Sequence, residues 1–327
     1  MKRRAFEVTP GDVGPLAALL AARLGLEPAQ AAALVRRGAV YLRGRRALDP
    51  ALSAAAGDKV LVVLEESGRP VLAPEPPPAP LRVLYQDAAL LAADKPAGLP
   101  AQATPGGATG LAELVSAYLG RPAGRVHRLD RETTGVTLFG LTTASTAALA
   151  AAFRTGRVRK QYLAATAPGV PDAGTVDLPL SRDPSRPGRW RASARVHGVP
   201  AVTDFRRLGG GEDFQLVVLW PRTGRTHQLR AHLTALGSPI LGDGRYGGAR
   251  TVGGDPVARC LLHAHALQLP NPVTGTALTL VAPLPEDLAR FFAQAGVPIP
   301  DGPAWPDEPV LASRRRAGWP PSGCPPR

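Results

Sequence analysis

Apolar residues recur along this chain with two periods, and the places where the period changes divide it into segments. Residues 28–37 form an alanine-rich run that Glu27-Pro28 opens and Gly38 closes, the Pro-first, Gly-after order of a helix. Short runs at 40–43 and 45–48 flank Gly44 as a hairpin, and after Gly57-Asp58 a third apolar run, 60–64, completes a small sheet. Residues 1–66 are therefore expected as one small α/β domain. The composition then turns to Pro, Glu, Ala and Gly, with Pro76, Pro77 and Pro78 in succession, so 67–80 reads as a semi-extended linker.

Between 81 and 297 strand and helix patterns alternate without a regular βαβ repeat. Strands are expected at 81–85, 90–93, 136–141, 160–165, 201–208 and 214–220, and helices at 110–119, 145–154 and 226–236, the last closed by Gly237. Many adjacent strands with few helices favour an α+β domain with a mixed, largely antiparallel central sheet. Residues 298–327 are again proline-rich and carry Arg314-Arg315-Arg316, which predicts a disordered basic tail.

Charge narrows the range of partners. The 327 residues carry a formal net charge of +13, which suits an anionic partner such as a nucleic-acid backbone or a membrane surface. Insertion into a membrane is not expected, because the charge-free run 133–153 is broken by Gly135, Gly140 and its threonines. Met-Lys-Arg-Arg leads into polar sequence rather than a secretory segment, so a cytoplasmic protein is expected. Cys260 and Cys324 are too few for a disulfide framework or a cysteine-rich zinc site. Of 39 basic residues only Lys2, Lys59, Lys95 and Lys160 are lysines. Where arginine is so strongly preferred, a retained lysine marks a place that a compact ammonium suits better than a planar guanidinium.

Glycine or proline punctuation surrounds charged side chains in several segments of 81–297. Lys95-Pro96-Ala97-Gly98 follows an expected strand. In His127-Arg128-Leu129-Asp130-Arg131-Glu132-Thr133-Thr134-Gly135 one carboxylate has a cation on each side. Lys160 and Tyr162 share one face of a strand. Gly224-Arg225-Thr226-His227-Gln228-Leu229-Arg230 is a turn running into a helix. His263-Ala264-His265 places two imidazoles close together, but no cysteine or carboxylate stands near enough in sequence to complete a metal site.

These segments, together with Leu241-Gly242-Asp243, Tyr246-Gly247 and Leu262-His263-Ala264, resemble in their order the motifs of the RluA-type RNA pseudouridine synthases, over residues 81 to about 290. Glu132 stands where that family usually has Asp, and Thr134 where Ser is common. A helix whose arginine-bearing end meets a basic hairpin likewise resembles the S4-like RNA-binding domain over residues 5–66, departing from it at Arg43, where Asn is usual. The resemblance implies a pseudouridine synthase fold and uridine-to-pseudouridine isomerisation without cofactor or metal. It implies Asp130 as nucleophile, Tyr162 against the base, Arg225 as the cation that keeps Asp130 ionised, and Arg128 filling the space left by the flipped uridine. His127, Lys160, Arg230 and Leu262 are implied at the substrate, and Arg36, Arg37, Arg43, Arg45 and Arg46 at RNA through the N-terminal domain.

Structured RNA is the expected partner, large-subunit ribosomal RNA ahead of tRNA, with no protein partner required and a monomer expected. A non-catalytic RNA-binding assembly factor is the competing reading, but such a protein has no need to bury an ionised carboxylate. A glycosidic-bond hydrolase would need two opposed carboxylates, and the Asp130 segment offers one besides Glu132.

Overall fold

A computed structural model of the chain describes residues 2–36, 39–47, 49–64, 81–103, 109–195 and 197–306. They form two compact units, residues 1–82 with 98–131, and residues 83–97 with 132–327. The expected linker, residues 67–80, lies outside the described residues, as do Arg37, Gly38 with its expected capping role, and the tail beyond Pro306.

In the first unit, strands β1 (Lys2–Glu7), β2 (Val40–Leu42), β3 (Arg45–Ala47) and β4 (Lys59–Leu64) form an antiparallel sheet in the order β1-β4-β2-β3. Helices α1 (Leu16–Leu24) and α2 (Pro28–Arg36) supply its core through Leu16, Leu19, Leu20, Ala31, Leu34 and Val35. No single helix among the described residues is long and apolar enough to cross a membrane. The expected hairpin forms, with Arg43 and Gly44 both left-handed (φ 53° and 75°), the two-residue geometry that matches strand twist. A long side chain resists that backbone. Arg43 is held there by Asp58, whose carboxylate accepts from Nε at 2.7 Å and Nη2 at 2.8 Å. Helix α3 (Leu111–Leu119) follows Gly110, which is pressed so closely on Gln102 that an added Cβ would lie 2.2 Å from its carbonyl carbon.

The second unit is built on one mixed sheet. Its strands are β5 (Arg82–Gln86), β6 (Leu90–Lys95), β7 (Thr134–Gly140), β8 (Arg159–Thr166), β9 (Ala173–Asp177), β10 (Val202–Gly210), β11 (Gln215–Pro221), β12 (Leu262–Pro270) and β13 (Ala277–Val281). They run in the order β9-β10-β11-β8-β12-β7-β6-β5, with β13 on β12. The pairing of β7 with β12 is parallel, Thr134 opposite His263, while β6–β7, β8–β11, β8–β12, β9–β10, β10–β11 and β12–β13 are antiparallel. Helices α4 (Thr143–Arg154), α5 (Gln228–Ala235) and α6 (Glu286–Gln294) accompany it. Leu288, Phe291 and Phe292 of α6 join Leu163, Leu216, Val218 and Leu262 in the main core.

Two expectations need correction. Helix α5 begins at Gln228 rather than 226, because His227 is left-handed (φ 56°) and the preceding residues form a turn. The boundary expected at 297 is also too early. Trp305 packs on the main core and the Ala304 carbonyl accepts from Trp220 Nε1 at 3.1 Å, so residues up to Pro306 pack with this unit.

Candidate active site

The Asp130 segment leaves the first unit as extended chain. Behind it, the backbone N–H of Ala123 donates to Ser116 Oγ of α3 at 3.2 Å. Leu129 is buried, Arg125 and Arg128 are exposed, and His127 and Asp130 are half-buried, so one apolar anchor holds a run of polar side chains. Arg131, adjacent to Asp130, donates from Nε to the Gly98 carbonyl at 2.7 Å, which ties this run to the end of the Lys95–Gly98 motif.

The same motif continues in the second unit as β7. Gly135 (φ 110°) approaches β12 so closely that a Cβ would lie 2.2 Å from the Ala264 carbonyl oxygen. One residue earlier, Thr134 Oγ1 is 2.9 Å from His263 Nδ1, and His263 Nε2 is 3.3 Å from the Ala282 carbonyl. Donation from Nε2 to that carbonyl leaves Nδ1 to accept from the threonine hydroxyl. Burial pushes the His263 pKa down to about 3, so the ring is neutral near pH 7. His265 also uses its Nδ1 on the Ala282 carbonyl, at 3.1 Å. At the start of the motif's second half, Glu132 accepts from the Cys260 N–H at 3.1 Å, and its carbonyl accepts from Arg259 Nη1 at 3.2 Å. Arg259 is itself fixed by Asp287, with contacts of 2.5 and 2.6 Å.

Lys160 meets the turn that carries Arg225 at one end of the sheet, two residues along β8 from Tyr162. Lys160 and Tyr162 lie on the same face of β8, half-buried on either side of the buried Gln161. Lys160 donates from Nζ to the Thr223 carbonyl at 2.9 Å. Burial, and secondarily the neighbouring Arg225 guanidinium, push its pKa down to about 8. The turn carrying Arg225 is clipped by the Gln228 side chain. Gln228 Oε1 accepts from Thr223 Oγ1 at 2.7 Å and from the Arg225 N–H at 3.0 Å, while Nε2 donates to the Val202 carbonyl and to Thr203 Oγ1, both at 3.0 Å. Arg225 is exposed and donates from Nε to the Pro200 carbonyl at 3.1 Å. Next to it, Arg222 meets the buried Asp204 with two contacts of 2.6 and 2.8 Å.

Behind this turn lies a buried ion pair. Arg230 donates from Nε and Nη2 to the two oxygens of Asp243 at 2.7 and 2.8 Å, and stacks over the Tyr246 ring at 4.8 Å. Tyr246 in turn accepts from the Trp190 N–H at 2.9 Å and lies 3.0 Å from His227 Nδ1, so the pair supports the residue that starts α5. Gly242 (φ 75°) allows the turn, since a Cβ there would fall 1.8 Å from the Arg259 carbonyl oxygen.

The structure thus sets Lys160, on the same face of β8 as Tyr162, beside Arg225, and places Asp130, His127 and Arg128 on the first unit. Arg230, expected at the substrate, has its guanidinium committed to Asp243. Leu262, also expected there, is 3% exposed and belongs to the main core. Arg36 is exposed at the end of α2, Arg43 is engaged with Asp58, and Arg45 and Arg46 lie in β3. Asp204, Arg259 and Asp287 carry no motif signal, because each finds its partner through the tertiary fold. The role of Gln228 was missed although the residue lies inside a motif.

A family model described as RNA pseudouridylate synthase matches residues 89–235. The ribosomal large subunit pseudouridine synthase D of Xanthomonas campestris is 36% identical over 236 residues, 67% of this chain and 70% of that protein. The dual-specificity RNA pseudouridine synthase RluA of Escherichia coli is 39% identical over 215 residues, 64% of this chain and 95% of that protein. Among solved structures, human RNA pseudouridylate synthase domain containing 4 matches with a TM-score of 0.55 at 30% identity, covering 67% of this chain and 95% of that one. Likeness at this level, carried by a chain whose motif residues build one mixed sheet and the turns at its end, shows that the protein belongs to the RNA pseudouridine synthase family, isomerases that act on RNA.

Proposed function

We propose that the chain converts uridine to pseudouridine in large-subunit ribosomal RNA, with Asp130 as nucleophile. The reaction breaks the bond between ribose C1′ and uracil N1, turns the base, and forms a bond from C1′ to carbon 5, whose proton leaves while N1 takes one up. No atom is added, and neither oxidant nor cofactor is needed. Asp130 attacks as the carboxylate, and the Arg225 guanidinium stabilises that charge against desolvation. Tyr162 lies against the base and assists loss of the carbon 5 proton, and Arg128 fills the gap left by the flipped uridine. His127 and Lys160 support the pocket. Arg230 and Leu262 act from behind it, the first through Asp243 and the second through the core.

The observation that carries this reading is that Lys160, on the same face of β8 as Tyr162, lies beside Arg225, on a turn that the Gln228 amide holds fixed. Ribosomal RNA is favoured by the Xanthomonas relative, named for the large subunit. The N-terminal sheet with α1 and α2 serves as the S4-like RNA-binding domain, and its RNA contacts are assigned to Arg36, Arg37, Arg45 and Arg46. Arg43 there acts first as a turn residue. The protein acts as a monomer in the cytoplasm, where ribosomal RNA is met.

The test is to map pseudouridines in total RNA from cells lacking the protein and carrying either the wild-type chain or Asp130→Asn. The reading expects a large-subunit position to lose pseudouridine and to regain it only with the wild-type chain. A lost position in tRNA alone would overturn the target, and restoration by Asp130→Asn would overturn the nucleophile.

A further inference from the structure

The sheet face opposite Tyr162 carries charge and aromatic surface that isomerisation does not use. Along β8 successive side chains alternate, so Arg159 and Gln161 point away from the face of Lys160 and Tyr162. Gln161 Oε1 accepts from Trp220 Nε1 at 3.3 Å, which fixes Trp220 on that second face. A cavity of about 410 Å³ opens beside it, lined by Arg159, Lys160, Asp204, Trp220, Arg222 and Trp305 among others. Its walls are preset. Arg159 stacks over Trp305 at 4.9 Å and donates from Nη2 to the Pro306 carbonyl at 3.0 Å. Arg206 lies over the Trp220 ring at 5.9 Å. The one carboxylate, Asp204, is already matched by Arg222 and by Thr175 Oγ1 at 2.6 Å, so the cavity presents net positive charge from Arg159 and Lys160.

We propose that this cavity, which adjoins the reactive pocket through Lys160, binds one unpaired nucleotide of an RNA strand other than the uridine that reacts. Indole and guanidinium faces form a stacking platform for a base, and the arginine edges take the adjoining phosphate. The volume fits a nucleotide and is too small for a folded element. The choice of RNA over another anion rests on the family assignment; the cavity, its charge and its aromatic walls do not.

The test uses the whole chain and a short fluorescent oligoadenylate, which contains no uridine and so cannot report the isomerisation site. Binding is followed by anisotropy across a salt series. The expected result is that Trp305→Ala weakens binding about tenfold, the scale of one lost base stack, and that Trp305→Phe restores it. Arg159→Gln is expected to lower the slope of log affinity against log salt by about 0.7, one phosphate contact on a single strand. Ultraviolet crosslinking should place the oligomer on the peptide containing Trp220 or Trp305. Wild-type affinity in both Trp305→Ala and Arg159→Gln would overturn the proposal. So would equal binding of an abasic oligomer of the same length, or full displacement by an oligoglutamate peptide, which would mark an acidic protein as the ligand. Tritium release from uridine-containing RNA, measured in parallel, reports failure of the family reaction independently.

Discussion

Breaking the Arg230–Asp243 pair should damage both stability and catalysis, and the structure sets the size of the effect. The side chains are 11% and 1% exposed, so both charges have lost most of their water. Two charge-assisted bonds of 2.7 and 2.8 Å compensate for that loss. Asp243→Ala leaves the guanidinium buried over Tyr246 without its anion, a change that costs about 3–5 kcal/mol. Replacing both partners, as in Arg230→Met with Asp243→Leu, removes the uncompensated charge and should recover most of that loss. Urea unfolding followed by tryptophan fluorescence reads the second unit, since Trp190, Trp220 and Trp305 all lie there. The same Asp243→Ala protein should turn over RNA more slowly, because Tyr246 braces His227 at the end of the Arg225 turn. Single variants that each lose less than about 1 kcal/mol would refute the argument and class the pair with exposed salt bridges.

Lys160 should leave a signature in the pH dependence of stability. Its folded pKa of about 8 lies below the ordinary 10.5, so the unfolded chain binds more protons between those values and stability rises with pH across that window. Relative to Lys160→Met, the wild type should gain at most about 3 kcal/mol from pH 8 to pH 10.5, and a flat difference would show an ordinary, solvated lysine. Gly135→Ala places a methyl group against the Ala264 carbonyl and forces a left-handed alanine, so it should lower the melting temperature and prevent turnover; a wild-type melting curve would show that β7 and β12 do not approach so closely. Arg225→Met should cripple turnover on RNA, whereas Arg131→Met, whose Nε serves the Gly98 carbonyl, should cost much less. Equal losses would contradict the division of roles.

Local patterns sufficed for much of this architecture and failed where partners come from far along the chain. The hairpin at Arg43-Gly44, helices α2, α3 and α4, and strands β8, β10 and β11 follow from periodicity and turn residues. Helix α1 was not anticipated, although Pro15 precedes it and left-handed Gly25 closes it. Its apolar, alanine-rich sequence shows only a weak polar face, because it is packed against α2 and the sheet. Motif order points to Asp130, Tyr162, Lys160 and Arg225, since short segments with fixed spacing survive as sequence signals. Asp204 looked like any polar position on an alternating strand until Arg222, 18 residues later, was seen to neutralise it. Arg230 shows the converse. Its place in a motif suggests substrate contact, whereas the structure sets its guanidinium against Asp243.

The most direct measurement is tritium release from RNA labelled at uridine carbon 5, comparing purified wild-type protein with Asp130→Asn at matched RNA occupancy. The exchange of one carboxylate oxygen for an amide preserves shape while removing the nucleophile's charge. The account predicts release by the wild-type chain, none above background by Asp130→Asn, and RNA affinity within about twofold between them, a difference of under 0.5 kcal/mol. Release by Asp130→Asn at a rate near that of the wild type would contradict it.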